Sequence, residues 1–211
     1  MSYARDVVAL ARKDVLLELR GRDTIPAMAL FVVATLVAFR FALPQEQEGA
    51  ARGLLWVAII FTALLGLGRA FVAEREQGVL DGLVLAPCDR SAIWLAKVLA
   101  TLAFLVGVEA VALPAFDLFF TDVDAATIAA VALADVGICA VGVLLAAMAV
   151  AGRARELLLP LLFLPLAIPI VVGGVGATVT DDPARYLGFL GLYDAIFAIL
   201  AWATFEYVVV E

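Results

Sequence analysis

The sequence predicts an all-α membrane protein. It has six transmembrane helices, an N-terminal amphipathic helix at the interface, and a short helix on the cytoplasmic side between spans two and three. Three observations carry this. The 211 residues are 65% hydrophobic and 17% charged, with a mean hydropathy of +1.10, whereas soluble domains run about 45–50% apolar and about 25% charged. Six stretches reach the roughly 20 mostly apolar residues that a bilayer crossing requires. The basic residues gather on one side of those stretches.

The six spans read as Thr24–Leu43, Gly53–Val72, Ser91–Phe116, Ala125–Ala151, Leu157–Val179 and Tyr186–Val210. They make a single transmembrane domain over 1–211, with 1–23 as a cytoplasmic amphipathic helix. Orientation follows from Lys and Arg. Arg5, Arg12, Lys13, Arg20, Arg22, Arg69, Arg75, Arg90, Lys97, Arg153 and Arg155 fall on one side, against Arg40, Arg52 and Arg185 on the other. Both termini and the second and fourth connections are therefore expected in the cytoplasm of a multi-pass cell-membrane protein. The outer loops carry acids instead: Glu46 and Glu48, then Asp117, Asp122 and Asp124, then Asp181 and Asp182. The charged first 24 residues contain no signal-peptide h-region, so the first span is expected to serve as the insertion signal.

Composition also excludes functions. The net charge is −7, from 14 basic and 21 acidic residues, which argues against a nucleic-acid surface. The chain has no histidine, the commonest general base and metal ligand. Cys88 and Cys139 form no CxxC or metal-ligand pattern. No GxxxxGK[ST] phosphate loop is present. Only two of the bases are lysines, Lys13 and Lys97.

Before the first span, Val8, Ala11, Val15 and Leu19 form a narrow apolar stripe at helical spacing, with Arg5, Arg12, Lys13, Asp14, Glu18 and Arg20 around it. Such a helix lies in the interface plane; the alternative is a solvated extension. The fifth span holds Pro160, Pro165 and Pro169, followed by Gly173, Gly174 and Gly176. Each proline removes a backbone donor and crowds the preceding turn, so this helix is expected to be kinked or broken toward its outer end, as a bend that fits the bundle or as a hinge.

Three acids lie inside spans. Glu109 is roughly 12 Å below the outer boundary, Asp194 about the same, and Asp135 about 15 Å, at 1.5 Å per residue. They are expected to share one layer, with Arg40 a little above as candidate counter-charge. Charged groups at such depth face the bundle interior or water. The layer reads as a structural polar network joining helices, or as an outward-opening, proton-linked site. Glu206 lies about 30 Å from the outer end of span six, near the cytoplasmic interface.

The second connection, from Ala73 to Arg90, is long for a link between packed helices. It opens with mixed charge and closes on a turn around Pro87. Between these, Val79, Leu80, Leu83 and Val84 form an apolar face. A short helix across the cytoplasmic mouth fits, as a docking surface for a soluble partner or as a helix resting on headgroups.

Glu74-Arg75-Glu76-Gln77-Gly78, the run Leu83–Pro87, then Arg90 and Ile93–Lys97 resemble the ABC-2 permease pattern after the second span. The whole chain is similar to the CcmB family, the permease of the cytochrome c maturation haem exporter system. Arg12-Lys13-Asp14 through Arg20, Gly53-Leu54-Leu55-Trp56-Val57, Arg153-Ala154-Arg155-Glu156-Leu157-Leu158-Leu159-Pro160 and Phe205-Glu206-Tyr207 add to the likeness. It covers nearly the full length in span count and motif order. Asp81 and Gly82 stand where an acidic residue and then an apolar one are expected, which implies a locally looser docking helix.

The resemblance implies a homodimer joined to two copies of an ATP-binding subunit. It also implies haem-handling membrane neighbours and a haem chaperone. The second connection would be the coupling helix, with Glu74, Arg75, Glu76, Gly78, Leu80 and Leu83 facing the ATPase. ATP would bind in the partner, and haem would be cargo rather than a cofactor of this chain. Three roles are consistent with these residues: a transporter subunit, a mechanical scaffold that passes motion on without conducting haem, or a generic ABC-2 exporter of lipid, drug or ion. With no histidine, a haem route would rely on Met28, Met148, tyrosine or propionate contacts.

Overall fold

The computed structural model describes residues 3–21, 23–43, 48–72, 89–151, 155–180 and 182–208. Among these, seven α-helices follow in order: α1 (Tyr3–Gly21), α2 (Thr24–Ala42), α3 (Glu48–Leu67), α4 (Arg90–Phe119), α5 (Ala125–Ala151), α6 (Arg155–Val179) and α7 (Ala184–Val208). The last six are long and apolar enough to cross a membrane. Their outward surface is greasy: Leu30, Phe41, Leu118, Leu157 and Leu161 are more than two-thirds exposed. Apolar area left in water costs about 25 cal/mol per Å², so this surface is at home only in lipid. The chain is a multi-pass membrane protein.

Helix α5 is the hub, packing against α3, α4, α6 and α7. Small residues let its neighbours approach. Gly142 leaves the space that the Leu67 side chain of α3 fills, and a Cβ there would collide with it. On α6, Gly174 leaves room in the same way for the fully buried Trp56 ring of α3. Helix α2 leans on α3 and α4 at the periphery.

Helix α3 occupies Glu48–Leu67, about a turn earlier than the expected Gly53–Val72. Two local reasons account for the shift. Arg52 lies inside the helix because its guanidinium donates to the Thr178 carbonyl at the C-terminal end of α6, where free carbonyls and the helix dipole favour a cation. At the other end, the chain leaves the α-helix after Leu67 in tight turns, with Arg69 N–H donating to Gly66 O and Ala70 N–H to Leu67 O, each at 3.1 Å.

Helix α6 is not broken at its prolines. It runs unbroken from Arg155 to Val179 through Pro160, Pro165 and Pro169. A neighbour also bonds the backbone within this proline-rich stretch. The Tyr193 hydroxyl of α7 donates to Leu166 O at 2.8 Å, three residues before Pro169. A side chain from the next helix is how a membrane bundle tolerates internal proline.

The caps are side-chain oxygens. Asp124 accepts from Thr127 N–H at 2.9 Å and from the Thr127 hydroxyl at 2.5 Å before α5; these bonds hold its carboxyl below the ordinary range. Asp23, at the N-cap of α2, makes no such bond. Its place is taken by Glu18 from α1, whose Oε1 accepts from Thr24 N–H at 2.6 Å and Ile25 N–H at 2.9 Å. A carboxylate at a helix N-terminus satisfies orphan donors and complements the dipole.

Candidate functional site

The features with functional content concentrate where α1 meets the bundle. Helix α1 packs along α4 through Val7, Leu10 and Ala11, with Asp14 and Glu18 continuing the same face at helical spacing. Of the expected stripe Val8, Ala11, Val15 and Leu19, Ala11 enters that contact. Val8 and Leu19 are exposed, so much of the apolar stripe stays outside the protein–protein seam while acids enter it. The acids enter because partners wait there.

Lys97, on the third turn of α4, is 5% exposed. Its Nζ lies 3.0 Å from Asp14 Oδ2 and donates to Ala70 O at 2.7 Å. It also sits 5.1 Å from the centroid of the Phe71 ring, within cation–π range. Asp14 in turn holds Lys13 at 3.0 Å through its other oxygen. One buried ammonium therefore joins α1, α4 and the turn through which the chain enters the second connection.

The chain re-emerges from that connection onto the same helix. Asp89 accepts from Ser91 N–H at 2.9 Å and from Ser91 Oγ at 2.7 Å, capping α4. Those hydrogen bonds lower the Asp89 carboxyl from its ordinary value. Ser91 Oγ also meets the Tyr3 hydroxyl at 3.2 Å. Arg90 approaches Glu206 of α7 at 3.6 Å, a half-exposed contact worth little alone. Both roots of the second connection are thus held by the first turns of α4. Glu74, Arg75, Glu76, Gly78, Leu80 and Leu83, the expected docking residues, lie outside the described residues.

A cavity of ≈ 990 Å³ opens at this end. Asp14, Glu18, Asp23, Arg69 and Lys97 contribute charge to its lining, and Leu64, Phe104, Val150 and Leu159 contribute apolar wall. Among the described residues the acids in this lining outnumber the cations, and Lys97 already faces Asp14. The lining includes none of Glu109, Asp135 or Asp194. Met28 is fully buried, with its sulfur packed against Gly66, so it does not face this space. Met148 is partly exposed.

The acids deep in the spans divide into two sites. Glu109 of α4 faces Asp135 of α5, near Cys139 one turn along. Neither oxygen of Asp135 and not Oε1 of Glu109 has a hydrogen-bond partner among the described residues. Asp194 of α7 instead rests on Gly137, where a Cβ would collide with its Oδ1. Positions 135 and 137 are about 200° apart on a helix, so Asp194 meets a different side of α5 from the one that carries Asp135. Arg40 makes no ion pair with any of the three among the described residues.

In sequence, Lys97 is an orientation signal and the end of the Ile93–Lys97 stretch, and neither marks it as the buried partner of Asp14. The clue available was the scarcity of lysine: both lysines of the chain converge on Asp14. An ammonium suits a site that needs a compact point charge, where guanidinium suits a fork.

A family model described as CcmB protein matches residues 5–209. The chain is 30% identical over 177 residues to Heme exporter protein B of Bradyrhizobium diazoefficiens, covering 81% of this chain and 79% of that protein. It is 31% identical over 175 residues to Heme exporter protein B of Pseudomonas aeruginosa, covering 80% and 78%. Over 174 residues it is 33% identical to Heme exporter protein B of Paracoccus denitrificans, covering 78% and 79%.

Proposed function

The chain belongs to the CcmB protein family, and from that membership we propose that it is the permease subunit of an ABC transporter acting in cytochrome c maturation. In this reading a separate subunit binds and hydrolyses ATP. The second connection is the coupling helix, with Glu74, Arg75, Glu76, Gly78, Leu80 and Leu83 as its docking residues. Two copies of the chain form the membrane dimer, with both termini cytoplasmic. The stroke drives haem export or the release of a haem-loaded chaperone.

The observation that supports coupling most directly is the shared anchoring of both roots of the connection. Ala70 and Phe71 on entry and Asp89 and Ser91 on exit are fastened to the first turns of one helix. A push at such a connection moves α4 as a body, because packed helices shift between discrete arrangements rather than deform.

A second reading, a mechanical subunit that does not itself conduct haem, is favoured by the chemistry of the cavity lining. Haem carries two anionic propionates, and among the described residues the charged lining is more acidic than basic. The chain has no histidine and Met28 is sealed between helices. Purification of the chain with its ATP-binding subunit and its membrane neighbours in mild detergent tests both. Stoichiometric haem on this chain and its ATP-dependent loss would support conduction. ATP-dependent release of the loaded chaperone without haem on this chain supports the mechanical role. Failure to retain any ATP-binding subunit removes the permease reading.

A further inference from the structure

We propose that Asp14 and Lys97 form a positioning latch that ties α1 to the root of the second connection, so that force from the ATP-binding partner reaches α1 and α4 together. The proposal rests on the reading of that connection as the ATPase-docking element.

The geometry is specific. The carboxylate and the ammonium have side chains only 10% and 7% exposed, so the pair is shielded from the solvent screening that makes surface ion pairs weak. Taking both charges out of water is costly, and well-packed apolar side chains in the same place are often equally stable or more so. Stability alone therefore gives little reason for a charged pair here. What the pair supplies is direction. Lys97 has donors to spare after meeting Asp14, and one goes to Ala70 O at 2.7 Å. That carbonyl lies past the end of α3, where the chain has left the regular helix and free carbonyls need outside donors. The Phe71 ring beside the ammonium fixes the next residue. An apolar replacement would fill the space and leave the turn unheld.

Helix α1 is tied at two further points, one near each of its ends. Glu18 caps α2, and the Tyr3 hydroxyl meets Ser91 beside the other root. Helix α1 therefore touches both roots of the connection and the start of the first span. It is placed to act as a lever, not only as a surface anchor.

The test uses the complete complex of this chain with its ATP-binding subunit and haem-handling neighbours. Asp14→Asn, Lys97→Met and the swapped pair Asp14→Lys with Lys97→Asp are compared with the wild type. The readouts are ATPase rate, chaperone released per ATP, and subunit retention. A latch predicts that the single variants keep the ATP-binding subunit and an ATPase rate within about twofold, while release per ATP falls about tenfold; the swapped pair recovers at least a third of the loss. In parallel, spin labels at Val8→Cys and Arg69→Cys, in a chain carrying Cys88→Ser and Cys139→Ala, report the distance from α1 to the root. That distance is narrow with Asp14 present and broadens with Asp14→Asn. Unchanged release per ATP together with an unchanged narrow distance overturns the latch. Loss of the ATP-binding subunit from the wild type itself would remove the parent reading, and the spin-label distances would still decide whether the latch holds α1 to the turn.

Discussion

Two of the buried charge sites of this protein are built on opposite terms. At the α1 end, Asp14 and Lys97 face each other at 3.0 Å, and Lys97 further donates to a backbone carbonyl. In the middle of the bundle, Glu109 faces Asp135, a second acid, with three of their four carboxyl oxygens lacking a protein partner among the described residues. The first site joins three separate parts of the chain and fixes their relation. The second joins two helices that apolar packing already holds: Ile138, Cys139 and Val108 around it are all buried. A buried charge specifies geometry only where its partner has the opposite sign and its remaining donors or acceptors are used. By that criterion the α1 end is the more specified site.

The largest expected effect breaks the first site. Asp14→Leu removes the acid that faces both lysines and is expected to destabilise the folded protein by about 3–5 kcal/mol. Lys97→Met is expected to cost less, because Lys13 remains 3.0 Å from Asp14. Thermal unfolding in detergent, followed by helical circular dichroism, checks the order. Equal losses in the two variants would mean that the pair is not the centre of the network.

An intermediate effect controls for packing without charge. Gly174→Ala drives a methyl into the Trp56 ring, which is fully buried, and its expected cost is about 1–3 kcal/mol. The ring also carries a bond from Trp56 Nε1 to Thr178 Oγ1 at 3.4 Å, so tryptophan fluorescence is expected to shift with the loss. A variant as stable as wild type would show that the α3–α6 seam has slack.

The smallest effect is expected at the second site. Glu109→Gln and Asp135→Asn each add an amide donor opposite a carboxyl oxygen and change almost no volume. Each is expected to stay within about 1 kcal/mol of wild type, since interhelical polar contacts in membranes average well under that. Transport-coupled activity measured on Glu109→Gln then separates structure from function: normal activity eliminates a proton-linked role for Glu109.

Much of the architecture is legible in sequence because lipid imposes one long-range rule, an apolar stretch long enough to cross. Five of the six apolar helices begin and end within a turn of the apolar stretches read from sequence, and α3 lies about a turn earlier, where Arg52 finds a carbonyl on α6. That partner is 126 residues away in sequence, beyond any local pattern. The proline run of α6 was legible as a disturbance, but the hydroxyl that serves it comes from Tyr193. Depth along a helix says nothing of azimuth, so which side of α5 each acid meets, Asp194 lying against Gly137, was not legible.

By itself, then, the sequence determined the solvent, the number of spans and the order of its motifs. Hydropathy and motif order are properties of consecutive residues. Only tertiary structure decided which charges meet. Lys97 and Asp14 are 83 residues apart, and their 3.0 Å contact depends on how α1 lies along α4. The polar side of an amphipathic helix is ambiguous in sequence, since acids can face water or a buried cation. The buried cation here arrives from a distant span.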